Sequence, residues 1–177
     1  MAKPEVLRAA PRGILDRIGK CRVALVEEAP FASQWTETGE GIEVTLAAGD
    51  PHDTALELLL CIGQALWERL TPAETRAWLR ELDAEIRHGV PGEIDEFALE
   101  EKRVLLGSRA AARSSRALQR YARAAFAGTV AEYIHALWHD VTVRTGPDHL
   151  PAAQLRRRFE TLARWFPPPR GRRLFPE

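Results

Sequence analysis

From Thr54 to Leu70 the chain is apolar almost all round, broken only by Glu57, Gln64, Glu68 and Arg69. A helix with that pattern cannot keep a broad face in water, so it is buried on most sides and the other elements must be arranged around it. Asp50-Pro51-His52-Asp53 supplies its start: Asp50 is a good N-cap, Pro51 suits the first helical position and Asp53 falls in the first turn. Gly63, in the middle, costs on the order of 1 kcal/mol relative to alanine, which predicts close packing at that point.

Before this helix, Gly41-Ile42-Glu43-Val44-Thr45-Leu46 alternates strictly and puts Ile42, Val44 and Leu46 on one face. That period of two predicts a half-exposed strand, at the edge of a small sheet. Cys21 to Val26 reads as a second strand, covered on both faces. Pro30 to Glu40, with Phe31 and Trp35, reads as a loop or irregular hairpin. Residues 1–20 form a lead-in, loose to residue 13, then a short helix from Ile14 to Lys20.

Everything after residue 50 reads as helical. Thr71-Pro72-Ala73-Glu74 is a capping box with proline at N1, and that helix should stop at Gly89, ahead of Pro91-Gly92. Further helices are expected over 94–106, 108–127, 129–144 and 151–166, followed by an extended Pro/Arg-rich tail over 167–177. The expected architecture is a single α+β domain over 21–166, predominantly helical, with a small N-terminal sheet packed on a helical core.

A chain of 177 residues, 45% hydrophobic and 28% charged, belongs with soluble globular proteins. No apolar run reaches the roughly 18–20 residues of a membrane helix. Met1-Ala2-Lys3-Pro4-Glu5 leads into no signal-like segment, and Cys21 and Cys61, both expected to be buried, fit reduced thiols. A cytoplasmic location without membrane attachment is the expectation, and no cofactor is implied.

The run Leu58-Leu59-Leu60-Cys61-Ile62-Gly63-Gln64-Ala65-Leu66-Trp67 resembles the active-site helix of zincin-type metallopeptidases, L-L-H-E-x-G-H-A-L. In that family two histidines at i and i+4 hold zinc from one helix face, and the glutamate after the first activates the metal-bound water. Leu60 and Gln64 stand at the histidine positions and Cys61 at the glutamate position. The strand directly before the helix is similar to the zincin order, in which it borders the substrate cleft. Gluzincins take a third ligand, a glutamate, from a later helix within a pattern like A-E-x-x-A. Ala131-Glu132-Tyr133-Ile134-His135-Ala136 is similar to it.

The resemblance covers about residues 21–140. It implies a degenerate zincin-like scaffold with a vestigial site of Leu60, Cys61, Gln64 and Glu132, and no bound metal there. Leucine cannot bind zinc, glutamine is a poor ligand, and a cysteine in apolar surroundings is no general base. The expected function is that of a non-catalytic pseudo-metallopeptidase, a binding or scaffold domain for another protein. Its cleft would lie between the Ile42–Leu46 strand and the Leu58–Trp67 helix.

Two alternatives arise from other residues. His135 and His139 are spaced i, i+4, with Glu132 one turn earlier and Asp140 adjacent, a spacing that suits a metal-dependent enzyme. On a helical wheel Glu132, His135 and His139 lie opposite the apolar stripe Val130, Tyr133, Ile134, Leu137, Trp138 and Val141. They form either a solvent face, the plainer expectation, or the wall of a pocket covered by another segment.

The second alternative is a stripe of arginines, Arg109, Arg113, Arg116, Arg120 and Arg123, able to meet an acidic partner or nucleic acid. Zero net charge and the lack of a nucleic-acid motif argue against the latter. Residues 74–101 carry nine acids against three arginines, and residues 102–123 carry seven basic residues and no acid, so mutual neutralisation is expected. Arg156, Arg157, Arg158, Arg164, Arg170, Arg172 and Arg173 add charge to the last helix and tail. Trp165 and Phe166 are expected to pack on their own domain. Ser108, Ser114 and Ser115 lack a base and acid partner, so no nucleophile is assigned.

Overall fold

The structure, a computed structural model, describes residues 5–107, 115–139 and 146–174. In chain order these form a 3-10 turn (Glu5–Arg8), α1 (Arg12–Ile18), β1 (Lys20–Val26), β2 (Ser33–Thr38), β3 (Gly41–Ala47), α2 (Pro51–Trp67), α3 (Pro72–Arg87), α4 (Glu96–Gly107), α5 (Ser115–Trp138) and α6 (Ala152–Trp165). The fold is α+β and predominantly helical, with one three-stranded sheet.

The capping residues fix the helix starts. Asp50 accepts from the backbone N–H groups of His52 (2.8 Å) and Asp53 (3.2 Å), and Thr71 and Glu74 cap each other reciprocally. α3 ends at Arg87, two residues before Gly89, whose φ of 63° suits glycine after a helix end.

The sheet order is β1-β3-β2, with β1 parallel and β2 antiparallel to β3. β3 is therefore the central strand and not an edge. Ile42, Val44 and Leu46 are all buried, as their alternation requires, because they face α2. β1 is not covered on both faces: Cys21 and Val23 are half-buried against the core, while Leu25 is among the most exposed large apolar residues described. The segment read as a loop holds β2, whose Ser33-Gln34-Trp35-Thr36-Glu37-Thr38 has too polar a pattern to announce a strand. The lead-in is not loose, since Val6, Leu7, Ala9 and Ala10 are buried.

The largest departure is α5. Two helices parted near Gly128 were expected, but a single helix runs from Ser115 to Trp138 and is buried on nearly every side from Tyr121 to Leu137. Gly128 does not end it. Ile94 and Asp95, just before α4, press on that glycine, and a Cβ there would collide with the Asp95 carboxylate.

α5 packs along the whole of α2, running antiparallel. The start of α2 (His52) meets the end of α5 (His135, Trp138 and His139), Gly63 meets Ala127, and Glu68 pairs with Arg123. At the tail, Phe166 is buried and its carbonyl accepts from the Tyr133 hydroxyl (2.8 Å), while Leu174 packs against the core. The tail thus folds back on its own domain. Among the described residues no helix is long and apolar enough to cross a membrane.

Candidate functional site

In the helix that resembles a zincin active site, Leu60 is half-buried against the core and Cys61 is fully buried. Burial pushes the Cys61 thiol up; a hydrogen bond with Ser33 opposes this in part, and the nearby Glu57 charge adds a smaller upward push. A thiol held protonated in this way is neither a base nor a nucleophile. Gln64 is half-buried, and its Oε1 accepts a hydrogen bond from Trp35 Nε1 (3.0 Å) on β2. One turn before Cys61, Glu57 Oε2 accepts from Ser33 Oγ (2.5 Å), also on β2. The edge strand β2 is thus tied to α2 by side chains, and the cleft expected along β3 is closed by core packing.

Glu132 makes no hydrogen bond to Cys61 or Gln64 among the described residues. Its Oε2 lies 3.3 Å from His135 Nδ1. His135 is buried, so the face of α5 carrying Glu132 and His135 is not an open solvent face. His52, from the start of α2, covers it, with ring centroids 5.0 Å apart. His139 is exposed and its ring lies against Trp138, tilted by 36° with centroids 3.9 Å apart, while Asp140 and Val141 lie outside the described residues. As these side chains stand, no three histidine, cysteine, aspartate or glutamate residues among those described could together hold a metal ion.

The arginine stripe is partly neutralised. Arg120 pairs with Glu101 (3.2 Å) and Arg123 with Glu68 (3.1 Å), while Arg116 is exposed. The first partner belongs to the acidic stretch, as expected, and the second to the end of α2. Arg109 and Arg113, like Ser108 and Ser114, lie outside the described residues.

The sequence reading missed the strongest electrostatic feature. Arg158 of α6 is completely buried between two carboxylates. Its Nη2 donates to Glu85 Oε2 (2.5 Å) and Glu93 Oε1 (2.7 Å), its Nε to Glu85 Oε1 (3.1 Å) and its Nη1 to Glu93 Oε2 (2.8 Å). Tyr121 donates to Glu93 Oε1 (2.5 Å), and the buried Lys102 donates to the carbonyls of Val90 (2.9 Å) and Gly92 (2.7 Å) beside it. Lys102 Nζ also lies 3.7 Å from Glu93 Oε1.

Burial alone would raise the Glu93 carboxyl, but the Arg158 charge and the donors around it bring it down to about 2. Arg158 and Lys102 balance Glu85 and Glu93 in formal charge, and every guanidinium nitrogen is used. That makes the cluster a structural tie between α3, α6 and the segment before α4, with no charge left over for a substrate. A polar cavity of about 350 Å³ opens beside it, lined by Glu81, Glu85, His88, Gln154 and Arg157 among others. A signal for the cluster was present in the sequence. Arg158 shares the face of α6 that carries Leu155, Phe159 and Leu162, where a surface arginine does not belong.

No family model, curated protein or solved structure shows significant similarity to this chain.

Proposed function

We propose that this chain is a non-catalytic, zincin-like domain, a pseudo-metallopeptidase that serves as a binding or scaffold protein for another protein. The observation carrying this reading is the hydrogen bond from Trp35 to Gln64. The residue at the second-ligand position of the resemblance is occupied in holding the edge strand to the central helix. Support also comes from the buried, protonated thiol at the glutamate position and from Leu60 packed on the core. The order of strand β3 followed directly by α2 agrees with the resemblance, and β2 is an antiparallel edge, the kind of element on which an extended segment of a partner adds a strand.

Two measurements test the reading. The unaltered chain, incubated with casein and supplied with Zn²⁺, is expected to cleave nothing, and metal-dependent cleavage overturns the non-catalytic claim. Restoring Leu60→His, Cys61→Glu and Gln64→His in a His52→Ala, His139→Ala background is expected to create zinc affinity that drops when Glu132→Ala is added. Zinc affinity indifferent to Glu132, or none, removes the zincin-like scaffold from the proposal.

A further inference from the structure

The far end of the α2–α5 pair gathers three of the five histidines of the chain: His52, His135 and His139. His52 precedes Leu60 by eight residues, about 12 Å along the helix at roughly 1.5 Å per residue, so the three rings stand apart from Leu60, Cys61 and Gln64, and only Glu132 is common to the two sets. We propose that His52, His135 and His139 form a site for a divalent transition-metal ion of the zinc, nickel and copper class, with Glu132 holding His135 from behind. The proposal does not depend on the zincin-like reading.

The spacing is the first argument. The ring centroids are 5.0 Å (His52–His135), 6.1 Å (His135–His139) and 6.4 Å (His52–His139) apart. A point equidistant from all three lies about 3.4 Å from each centroid, the circumradius of that triangle. An imidazole bound through one nitrogen at roughly 2.0–2.1 Å has its centroid about 3.2 Å from the metal. The rings are therefore a few tenths of an ångström too far out, and their nitrogens do not yet converge. His52 and His139 are both exposed, which leaves these two side chains room to rotate toward His135.

The chemistry of the third ring is the second argument. His135 is buried, and its Nδ1 faces Glu132 Oε2 at 3.3 Å. A carboxylate on one nitrogen fixes the tautomer, orients the ring and makes the other nitrogen, Nε2, the better ligand. Glu132 is thus a positioning residue for His135 rather than a ligand. His135 and His139 also sit at the C-terminal end of α5, where the helix dipole favours a cation. Three imidazoles with no thiolate suit zinc, nickel or copper(II) and disfavour calcium or magnesium.

Titration of the untagged protein with Zn²⁺, followed by calorimetry, is expected to show one site with micromolar or tighter affinity and a rise in Tm. Ni²⁺ is expected to quench tryptophan fluorescence through Trp138, whose ring lies against His139 and 6.4 Å from His52, and Trp138→Phe should remove most of that quenching. His52→Ala and His139→Ala, at exposed positions that leave the fold intact, should each lower Zn²⁺ affinity at least 100-fold. Glu132→Gln should lower it roughly tenfold or more. His88→Ala and His149→Ala should change nothing. The absence of a stoichiometric site, or binding that survives His52→Ala undiminished, overturns the proposal.

Discussion

Gly63 of α2 lies so close to α5 that a Cβ at that position would stand 2.5 Å from the carbonyl oxygen of Ala127 and 2.7 Å from its Cα. The obstruction is backbone, which cannot swing aside as a side chain would. The two longest helices described cross at this point without a side chain between them.

Gly63→Ala is therefore expected to destabilise the protein despite alanine's better helix propensity. Overpacking against backbone takes the upper part of the usual range, about 2–3 kcal/mol, and the roughly 1 kcal/mol gained in propensity offsets part of it, so a net loss of about 1–2 kcal/mol is expected. At roughly 2–4 °C per kcal/mol, Tm should fall by several degrees in a thermal melt. An unchanged or raised Tm would show that α2 and α5 separate freely.

Arg158→Met should cost about 3–5 kcal/mol, because it leaves two buried carboxylates with Lys102 alone, 3.7 Å from Glu93, to offset them. Urea denaturation measures this. The double variant Arg158→Met, Glu85→Gln should recover a good part of the loss, since Glu93 then keeps Lys102 as its counter-charge. If the double variant is no more stable than Arg158→Met, then unpaired charge is not what Arg158 prevents.

Acid should weaken the fold in a defined window. Glu93 falls from an ordinary 4.5 to about 2, and Glu74 falls to about 2 under a bidentate pair with Arg17 (2.7 and 2.8 Å). A depressed carboxyl gives its stabilisation above the unfolded value and loses it as pH falls through the folded one, here from about 4.5 to 2. For the buried Glu93 this is on the order of 3 kcal/mol. Glu81 and Asp95 are both raised, mainly by burial, and so work the other way, gaining as they protonate. The net expectation is a loss of stability between pH 4.5 and 2 that flattens in Glu93→Gln. An unaltered slope in that variant would count against the assignment.

Gln64→Ala removes the acceptor for Trp35 and should cost about 1 kcal/mol, the usual net value of one hydrogen bond. The Trp35 indole N–H resonance should shift and lose protection from exchange while the other indoles stay in place. An unmoved resonance would mean that β2 is held to α2 by other contacts.

The long helices were legible where local chemistry decides them: the Asp50 cap, the Thr71–Glu74 box and the apolar circumference of α2 all read correctly. The packing of Gly63 was legible too, because a glycine in that setting needs a reason. β2 was hidden, since its side chains alternate in burial for the sake of α2 and not in hydrophobicity. The division of α5 at Gly128 followed from treating glycine as a breaker when its cause lay in Ile94 and Asp95, more than thirty residues away in the chain. His52 was passed over for the same reason: its partners are on α5, and its own surroundings in sequence show only a cap. The ion cluster of Arg158 joins residues 65 to 73 positions apart, a pairing that no local pattern announces.

That separation has a consequence for how the chain matures as it is made. Glu85 and Glu93 emerge from the ribosome long before Arg158, and until the last helix follows they have nowhere dry to go. Until then the segment before α4 is expected to stay hydrated. The two carboxylates gain their main counter-charge only once the last helix has been made, so a product stalled before residue 158 is expected to remain a ready target for proteases.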